Sequence, residues 1–230
     1  KNMDVQRNVD PLKYPLFYEK YHLLEKIGEG GMGAVYRGID VQNCRSVAIK
    51  TVLLPRQRTD QTIEKRMVRE YHFLRAIHHP HLVEVIDLVE EKDTFFLVME
   101  LVQGLSLLDS AFQVLPLQLI IANQIARAVE ALNTAGILHR DVKPGNILVS
   151  AEDKRAVLLD LGLAKSLSEG TNLTATNVIV GTPEYLSPEQ TINQITPRSD
   201  VFSLGVTLYQ FFLGLEHSPF AANDIVTTML

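Results

Sequence analysis

Hydrophobic and polar positions along the chain separate a strand-rich first part from a helix-rich second part. Strand-like alternation begins near Tyr21. Later segments alternate or are rich in β-branched residues, and they predict strands at 34–39, 46–52, 82–90 and 94–101. Glu70 and the apolar residues that follow it at i+3, i+4 and i+7 predict one face of a helix over about 61–77. The first part should therefore fold as a sheet with one helix.

The second part begins after a short connector, 102–104, that contains a glycine. Pro116 starts a long amphipathic segment, and Gly136 stands where a left-handed residue commonly ends a helix. A second apolar run, 201–215, predicts a buried helix. Asp200, just before that run, is interpreted as a residue that caps the helix or matches its dipole.

These patterns divide the chain into four parts. They are a leader at 1–20, a first lobe at 21–101, a connector at 102–104 and a helical second lobe at 105–230. The leader is polar and contains two prolines, so we expect it to lie on the domain surface. The predicted fold class is α+β, with a small sheet in the first lobe and helices in the second.

Composition narrows the classes of partner. The formal net charge of −5 does not favour nucleic acid or an anionic membrane surface. The single cysteine, Cys44, excludes an internal disulfide framework and any multi-cysteine metal site, which fits a reducing, cytoplasmic setting. No apolar run reaches the roughly 18 residues of a membrane span, so we expect no membrane contact from this segment. A membrane anchor elsewhere in a parent protein is compatible with this expectation.

The richest concentration of chemistry lies in the eight residues from His139 to Asn146. Asp141 can accept a proton, Lys143 can neutralise an anion, and Asn146 can offer a carbonyl oxygen to a hard cation. Asp160 follows a second apolar strand and would form a plausible Mg²⁺ pair with Asn146. The alternative is a charged surface loop without catalytic function.

A glycine-rich segment precedes the first of the predicted strands. Gly28, Gly30 and Gly33 have the G-x-G-x-x-G spacing that lets a backbone approach phosphate oxygens. A strand rather than a helix follows, which indicates a hairpin flap over a nucleotide and not a dinucleotide-binding turn. Lys50 lies in an apolar strand, and Glu70 is its expected counter-ion. A plain glycine hairpin and an exposed edge lysine are the alternatives.

Together, in this order and at these spacings, the motifs resemble the protein kinase family, specifically the eukaryotic-type Ser/Thr kinases found in bacteria. The match runs from about Tyr21 to Phe220. It includes the glycine loop, V-A-I-K ending at Lys50, H-R-D-x-K-P-x-N, D-L-G and G-T-P-E-Y-x-S-P-E. The resemblance implies the bilobal protein kinase fold. It also implies an ATP-dependent protein serine/threonine kinase that uses Mg²⁺, with Mn²⁺ as an alternative.

The resemblance also implies roles for single residues. Gly28, Gly30 and Gly33 would cover the ATP phosphates, and Lys50, oriented by Glu70, would hold the α- and β-phosphates. The resemblance also implies a set of residues around adenine: Val35, Ala48, Met99, Glu100, Val102 and Leu148. Met99 would be the gatekeeper residue of the pocket, and Glu100 and Val102 would bind adenine through their backbones.

In the second lobe, the resemblance implies that Asp141 orients and deprotonates the substrate hydroxyl while Lys143 neutralises the γ-phosphate. Asn146 and Asp160 would hold Mg²⁺. Thr182, in the closing segment, would contribute with Lys143 to a site for Ser/Thr rather than Tyr substrates.

We also expect regulation by phosphorylation. Thr174 and Thr176 are predicted sites of autophosphorylation, where a phosphate would meet Arg140 through charge-assisted hydrogen bonds. The partners expected are proteins with Ser/Thr hydroxyls, and a homodimer is one arrangement for phosphorylation in trans.

The end of the chain departs from the family pattern. A kinase domain continues with several more helices, so the second lobe is expected to be incomplete at Leu230. In the family Glu189 pairs with an arginine from those helices, and no Lys or Arg follows Arg198 here. Glu189 is therefore expected to be an unpaired buried carboxylate. Two other function classes stay open: a pseudokinase that binds nucleotide without transfer, and a small-molecule kinase.

Overall fold

The computed structural model describes residues 16–17, 19–30, 33–52, 61–91, 94–160, 182–192 and 194–221. The chain forms two compact units. The first contains the described residues up to Ala76 together with Glu84–Leu101, and the second contains Ile77–Val83 and the described residues from Val102 onwards.

The first unit is built on an antiparallel sheet with six strands in the order β1-β2-β3-β4-β6-β5. The strands are β1 (Leu16–Phe17), β2 (Tyr21–Gly30), β3 (Gly33–Asp40), β4 (Arg45–Val52), β5 (Val85–Glu91) and β6 (Thr94–Glu100). Its buried core cluster consists of Tyr21, Val47, Ile49, Ile86, Val89 and Val98. Since Val47 and Ile49 alternate with Ala48 and Lys50 along β4, the core lies on the opposite face of that strand from Lys50.

Helix α1 (Gln61–Ala76) is the single helix among the described residues of the first unit. Its buried side chains are Met67, Tyr71 and Leu74, at i, i+4 and i+7. Glu70 is half-buried beside this apolar face. The predicted helix is therefore confirmed within one residue at its end. Its predicted apolar face was partly wrong, because of Phe73, Leu74 and Ile77 only Leu74 is buried and Phe73 is 51% exposed.

The second unit is helical with a small three-stranded sheet. Its elements are β7 (Leu105–Ser106), α2 (Leu115–Thr134), β8 (Ile147–Val149), β9 (Ala156–Leu158), α3 (Pro188–Thr191) and α4 (Pro197–Leu213). Gly136, at φ +72°, ends α2 as expected. Its N–H donates to Asn133, and that of Ile137 donates to Leu132, which satisfies two terminal carbonyls. The α+β fold class is confirmed.

Residues 77–83 were expected in the first lobe, and the structure corrects this. Leu158 joins them to the second unit: its N–H donates to His81 O at 2.9 Å, and its carbonyl accepts from Val83 N–H at 3.1 Å. His81 Nδ1 also lies 2.9 Å from Ala156 O. Because the backbone groups His81 O and Val83 N–H are bonded to Leu158, these residues do not pair with the first sheet. The strand predicted to start at 82 therefore begins at Val85.

The sheet also begins earlier than predicted, because β1 pairs with β2 through Phe17 and Tyr21. Residues 1–15 and 18 of the expected leader lie outside the described residues. Within the described ranges, no helix is both long enough and apolar enough to cross a membrane.

Candidate active site

Asp141 is at the centre of the chemical cluster in the second unit. Its Oδ2 accepts a hydrogen bond from Asn146 Nδ2 at 3.0 Å and lies 3.1 Å from Lys143 Nζ. Asn146 Nδ2 also donates to the backbone oxygen of Asp141 at 2.8 Å. The Asp141 side chain is 10% exposed, so this carboxylate is held by two residues of its own loop and only narrowly open to solvent.

A turn of 3₁₀ helix, Pro144–Asn146, brings these side chains together. Lys143 is extended, and Asn146 N–H donates to its carbonyl at 3.0 Å. Proline suits the first position of such a turn because its φ is already helical and its absent N–H has no partner to satisfy. The tight turn folds Asn146 back onto Asp141, five residues earlier.

Asp200 on α4 holds the backbone of the loop that contains Asp141. Its two carboxylate oxygens accept from the N–H groups of His139 and Arg140, each at 2.8 Å. Asp200 is 1% exposed. Capping by Asp200 was wrong, because Thr196 and Ser199 form the capping box of α4. That pair was visible in the sequence and could have indicated that Asp200 was available for another role. The other interpretation, a match to the helix dipole, agrees with the place of Asp200 in the first turn.

Backbone strain occurs on both sides of the cluster. Arg140 has φ +66° and Asp160 has φ +59°, the left-handed region that costs a non-glycine residue roughly 1–2 kcal/mol. Such conformations persist only where the surroundings over-determine them. For Arg140 the hydrogen bond from its N–H to Asp200 supplies part of that determination.

His139 is a neutral structural residue. It is fully buried, and burial lowers its pKa. Its Nε2 lies 2.7 Å from the carbonyl oxygen of Leu159, and its Nδ1 accepts from Asp141 N–H at 3.3 Å. Because a carbonyl only accepts and an N–H only donates, the proton resides on Nε2. His139 thus links the loop of Asp141 to the residue before Asp160.

Asn146 is hydrogen-bonded to Leu159, the residue before Asp160. Leu159 N–H donates to Asn146 O at 2.7 Å, which places Asp160 one residue beyond that bond. Since Asn146 Nδ2 faces Asp141, its Oδ1 is the side-chain atom suited to a cation. An amide oxygen with a carboxylate is a donor set that Mg²⁺ prefers. The chemistry of the two predicted metal residues therefore fits that ion.

Thr182 meets the same cluster from later in the chain. Lys143 Nζ contacts Thr182 Oγ1 at 2.6 Å while it remains 3.1 Å from Asp141. One ammonium group thus joins the carboxylate and the hydroxyl. The structure brings together four of the predicted residues: Asp141, Lys143, Asn146 and Thr182.

In the first unit, predicted residues share one face of the sheet. Val35 lies opposite Lys50, and Ala48 lies opposite Met99. Residues directly opposite in antiparallel strands, and residues two apart on one strand, point to the same side. Gly28 is opposite Val35 and so lies on this side as well. The strand register therefore lines up a lysine, three apolar side chains and a glycine.

Gly33 and Gly28 differ in whether the fold itself excludes a side chain at their positions. Gly33 has φ +128°, and a Cβ there would meet the Thr51 carbonyl oxygen and lie 2.5 Å from its hydroxyl oxygen, so Gly33 has a structural reason. At Gly28, a Cβ would meet only Val35 Cβ, at an ordinary 3.9 Å. Among the residues that the structure describes, no close contact requires the absence of a Cβ at Gly28.

Other predicted residues around adenine are placed individually. Glu100 N–H donates to Glu84 O at 2.9 Å, so a backbone contact from Glu100 to a nucleotide would use its carbonyl oxygen. Val102 is half-buried and is the first residue of the second unit after β6. Leu148 is half-buried on β8, opposite Val157.

Some predictions fall elsewhere. Thr174 and Thr176 lie outside the described residues. Glu189 was expected to be a buried carboxylate without its family arginine, and the burial was wrong: Glu189 is half-buried. It accepts a hydrogen bond from Ser199 Oγ at 2.8 Å. Hydrogen bonds from its own backbone N–H and from Ser199 lower the pKa of Glu189.

The first unit also has a groove of about 710 Å³. It is lined by side chains of α1, β5 and β6, among them Val68, Phe73 and Phe95. None of the predicted site residues lines it. The groove is therefore not the candidate active site.

Comparison with known proteins identifies the family of this chain. The protein kinase domain family matches residues 21–229. Serine/threonine-protein kinase pkn2 of Myxococcus xanthus is 38% identical over 207 residues, which cover 85% of this chain and 24% of that protein. Serine/threonine-protein kinase PknL of Mycobacterium tuberculosis is 36% identical over 223 residues, which cover 95% of this chain and 55% of that protein.

Probable serine/threonine-protein kinase PknB of Lactococcus lactis is 36% identical over 221 residues, covering 94% of this chain and 34% of that protein. The chain thus spans about half or less of the length of these relatives. The family match and the motif order agree over nearly the whole sequence. The chain therefore belongs to the protein kinase family, and these relatives are bacterial members named for serine and threonine.

Proposed function

We propose that this chain transfers the γ-phosphate of Mg-ATP to serine and threonine hydroxyls of protein substrates. The observation that carries the proposal is the cluster in which Lys143 contacts both Asp141, at 3.1 Å, and Thr182, at 2.6 Å. The family match and the names of the relatives support the same activity.

In this reaction Asp141 would orient the attacking hydroxyl and take its proton as the new O–P bond forms. The bond between the γ-phosphorus and the β–γ bridging oxygen breaks in the same transfer, and ADP is the leaving group. Asn146 and Lys143 fix the carboxylate through its Oδ2, so little reorganisation is required at the moment of transfer. Lys143 offsets the negative charge near the transferred group. The loop backbone is held by Asp200, which accepts from the N–H groups of His139 and Arg140. The His139 ring adds a hydrogen bond to the carbonyl oxygen of Leu159.

The nucleotide and metal would be held by two separate sets of residues. Asn146 and Asp160 would bind Mg²⁺, or Mn²⁺ in its place, and the ion would neutralise phosphate charge when bound. Gly28 and Lys50 lie on one face of the first sheet, where Lys50 would hold phosphate oxygens. Glu70 remains the proposed partner that orients Lys50. Val35, Ala48 and Met99, on the same face, would contact adenine.

Regulation is part of the proposal. Thr174 and Thr176 are proposed as autophosphorylation sites, with Arg140 as the residue that binds the phosphate. Phosphorylation between two copies of the chain would require a homodimer. The proposed setting is the cytoplasm, where ATP and protein substrates are available.

Phosphate transfer to a generic basic protein tests the proposal. The full-length protein is incubated with Mg-ATP, and the acceptor residues in the basic protein and in the kinase itself are identified by mass spectrometry. We expect phosphoserine and phosphothreonine, with sites at Thr174 and Thr176. Phosphotyrosine alone would contradict the proposed specificity. Kinase phosphorylated only outside 166–182 would contradict the proposed regulation.

A further inference from the structure

The hydroxyl of Thr51, near the end of β4, bonds to both backbone polar groups of one residue in the glycine-rich segment. It accepts from Ala34 N–H at 2.8 Å and donates to Ala34 O at 3.2 Å. Thr51 follows Lys50 directly, and Ala34 follows Gly33 directly. One side chain therefore joins the strand of the lysine to the segment of the glycines.

This contact lies just beyond the backbone register of β3 with β4. The last pair of that register towards the glycines is Val35 with Lys50. Ala34 and Thr51 are the next residues along, and the hydroxyl joins them. A hydroxyl can donate once and accept, so one side chain satisfies both an N–H and a carbonyl oxygen. The link between β3 and β4 thus extends one residue further towards the glycines.

Thr51 is itself fixed on its other side. Its backbone pairs with Phe96 on β6, inside the sheet. It is also packed closely against Gly33, because a Cβ on that residue would meet both the carbonyl and the hydroxyl oxygen of Thr51. The hydroxyl is therefore held by the sheet and contacts the point at which β3 begins.

We propose that Thr51 is a positioning residue for the nucleotide. Its hydroxyl holds Ala34 and, through it, the neighbouring glycines and Val35 in place before the nucleotide binds. The inference rests on the proposed function, in which the glycines cover the ATP phosphates and Lys50 holds two of them. A segment that is already ordered costs less to bind, so loss of the hydroxyl should weaken nucleotide affinity. A purely structural hydroxyl would affect stability alone.

Three substitutions separate these two roles. Thr51→Val removes the hydroxyl and keeps the branched shape of the side chain. Thr51→Ser keeps the hydroxyl, loses a methyl group and serves as the rescue variant. Tyr21→Phe is the matched control, because it removes a hydroxyl that donates to Asp87 Oδ2 at 2.9 Å in the same unit. Tyr21 begins β2, whose other end carries the glycines.

The test measures affinity for a non-hydrolysable ATP analogue with Mg²⁺ by calorimetry on the full-length protein, with thermal melts in the same buffer. Thr51→Val should raise Kd about five- to tenfold, and Thr51→Ser should stay within about twofold of wild type. Tyr21→Phe should lower Tm and leave Kd unchanged. In transfer assays Thr51→Val should raise the ATP KM, while the peptide KM and kcat at saturating ATP stay within about twofold. Thr51→Ala also lacks the hydroxyl and covers the case in which Thr51→Val does not fold.

Several outcomes would overturn the inference. An unchanged Kd without the hydroxyl would refute the role of Thr51 alone. A rise of equal size in Thr51→Ser would assign the effect to the methyl group, and an equal rise in Tyr21→Phe would show general loosening of the sheet. Absence of nucleotide binding by the wild type would overturn this inference and the proposed function together. Binding without transfer by the wild type would overturn the proposed function, and the Kd values would still decide the role of Thr51.

Discussion

Replacing Asp200 by asparagine is the perturbation for which the structure makes the most detailed prediction. The carboxylate of Asp200 accepts from two backbone N–H groups, those of His139 and Arg140, at 2.8 Å each. Asparagine has the same shape, but its amide nitrogen can only donate and would face one of these N–H groups. One buried donor would lose its acceptor, and the other would lose the charge of its partner.

The cost can be worked from these two bonds. A hydrogen bond to a charged group contributes about 1.5–3 kcal/mol, and a neutral one about 1 kcal/mol. Replacing two charged bonds by one neutral bond should therefore reduce the free energy of unfolding by about 3 kcal/mol. For a protein of this size, that corresponds to a fall in Tm of roughly 6–12 °C.

Activity should fall as well, because Asp200 helps to hold Arg140 at φ +66°. Relaxation of Arg140 would turn the following residue, Asp141, and a displacement of about 1 Å can cost a hundredfold in rate. We expect kcat to fall by at least about tenfold at a temperature where Asp200→Asn remains folded. Calorimetry and steady-state kinetics on the same preparation measure both effects.

Asp109→Asn is the matched control for this experiment. Asp109 accepts from Ala111 N–H at 2.9 Å at the start of a 3₁₀ turn in the same unit. Asparagine is as good as aspartate at such a position, so Tm and kcat should stay near wild type. If Asp200→Asn behaved like Asp109→Asn, the account of the loop would be refuted.

Two further predictions follow from the glycines and from His139. Gly33→Ala should destabilise the first unit by roughly 1–3 kcal/mol, because Gly33 has φ +128° and the added Cβ would meet Thr51. Gly28→Ala should keep the wild-type Tm and raise the ATP KM. Equal melting curves for the two variants would contradict this prediction. Burial lowers the pKa of His139, so the unfolded state binds the extra proton and stability should fall as pH drops below about 6.5, by at most about 1.4 kcal/mol per pH unit. His139→Gln should show a shallower dependence in thermal melts at pH 5–7.5, and an unchanged slope would be the contrary result.

Much of the fold could be predicted because long elements carry strong periodic signals. Helices α1 and α2 begin or end within one or two residues of the predicted positions. The exceptions depend on contacts that are distant in sequence. Residues 81–83 pair with Leu158 instead of starting a strand, and no local pattern near 82 indicates a partner more than seventy residues away.

The candidate site shows the same division. Asp141, Lys143 and Asn146 are close in sequence, so their proximity was predictable from spacing alone. The contacts of Asp200 were not, because it accepts hydrogen bonds from the backbone of a segment about sixty residues earlier. A polar residue on an apolar helix is ambiguous until the structure identifies what it faces. The hydrogen bond from Ser199 to Glu189 was not predictable for the same reason.

The most direct test of the central claim is ³²P transfer from Mg-ATP by the full-length protein and its Asp141→Asn variant. ATP binding is measured in parallel by calorimetry. We expect label on a Ser/Thr substrate with the wild type, loss of nearly all label with Asp141→Asn, and similar ATP affinity for both. Equal transfer by the variant would contradict the role of Asp141. ATP binding without transfer by the wild type would contradict the kinase proposal and favour a nucleotide-binding pseudokinase.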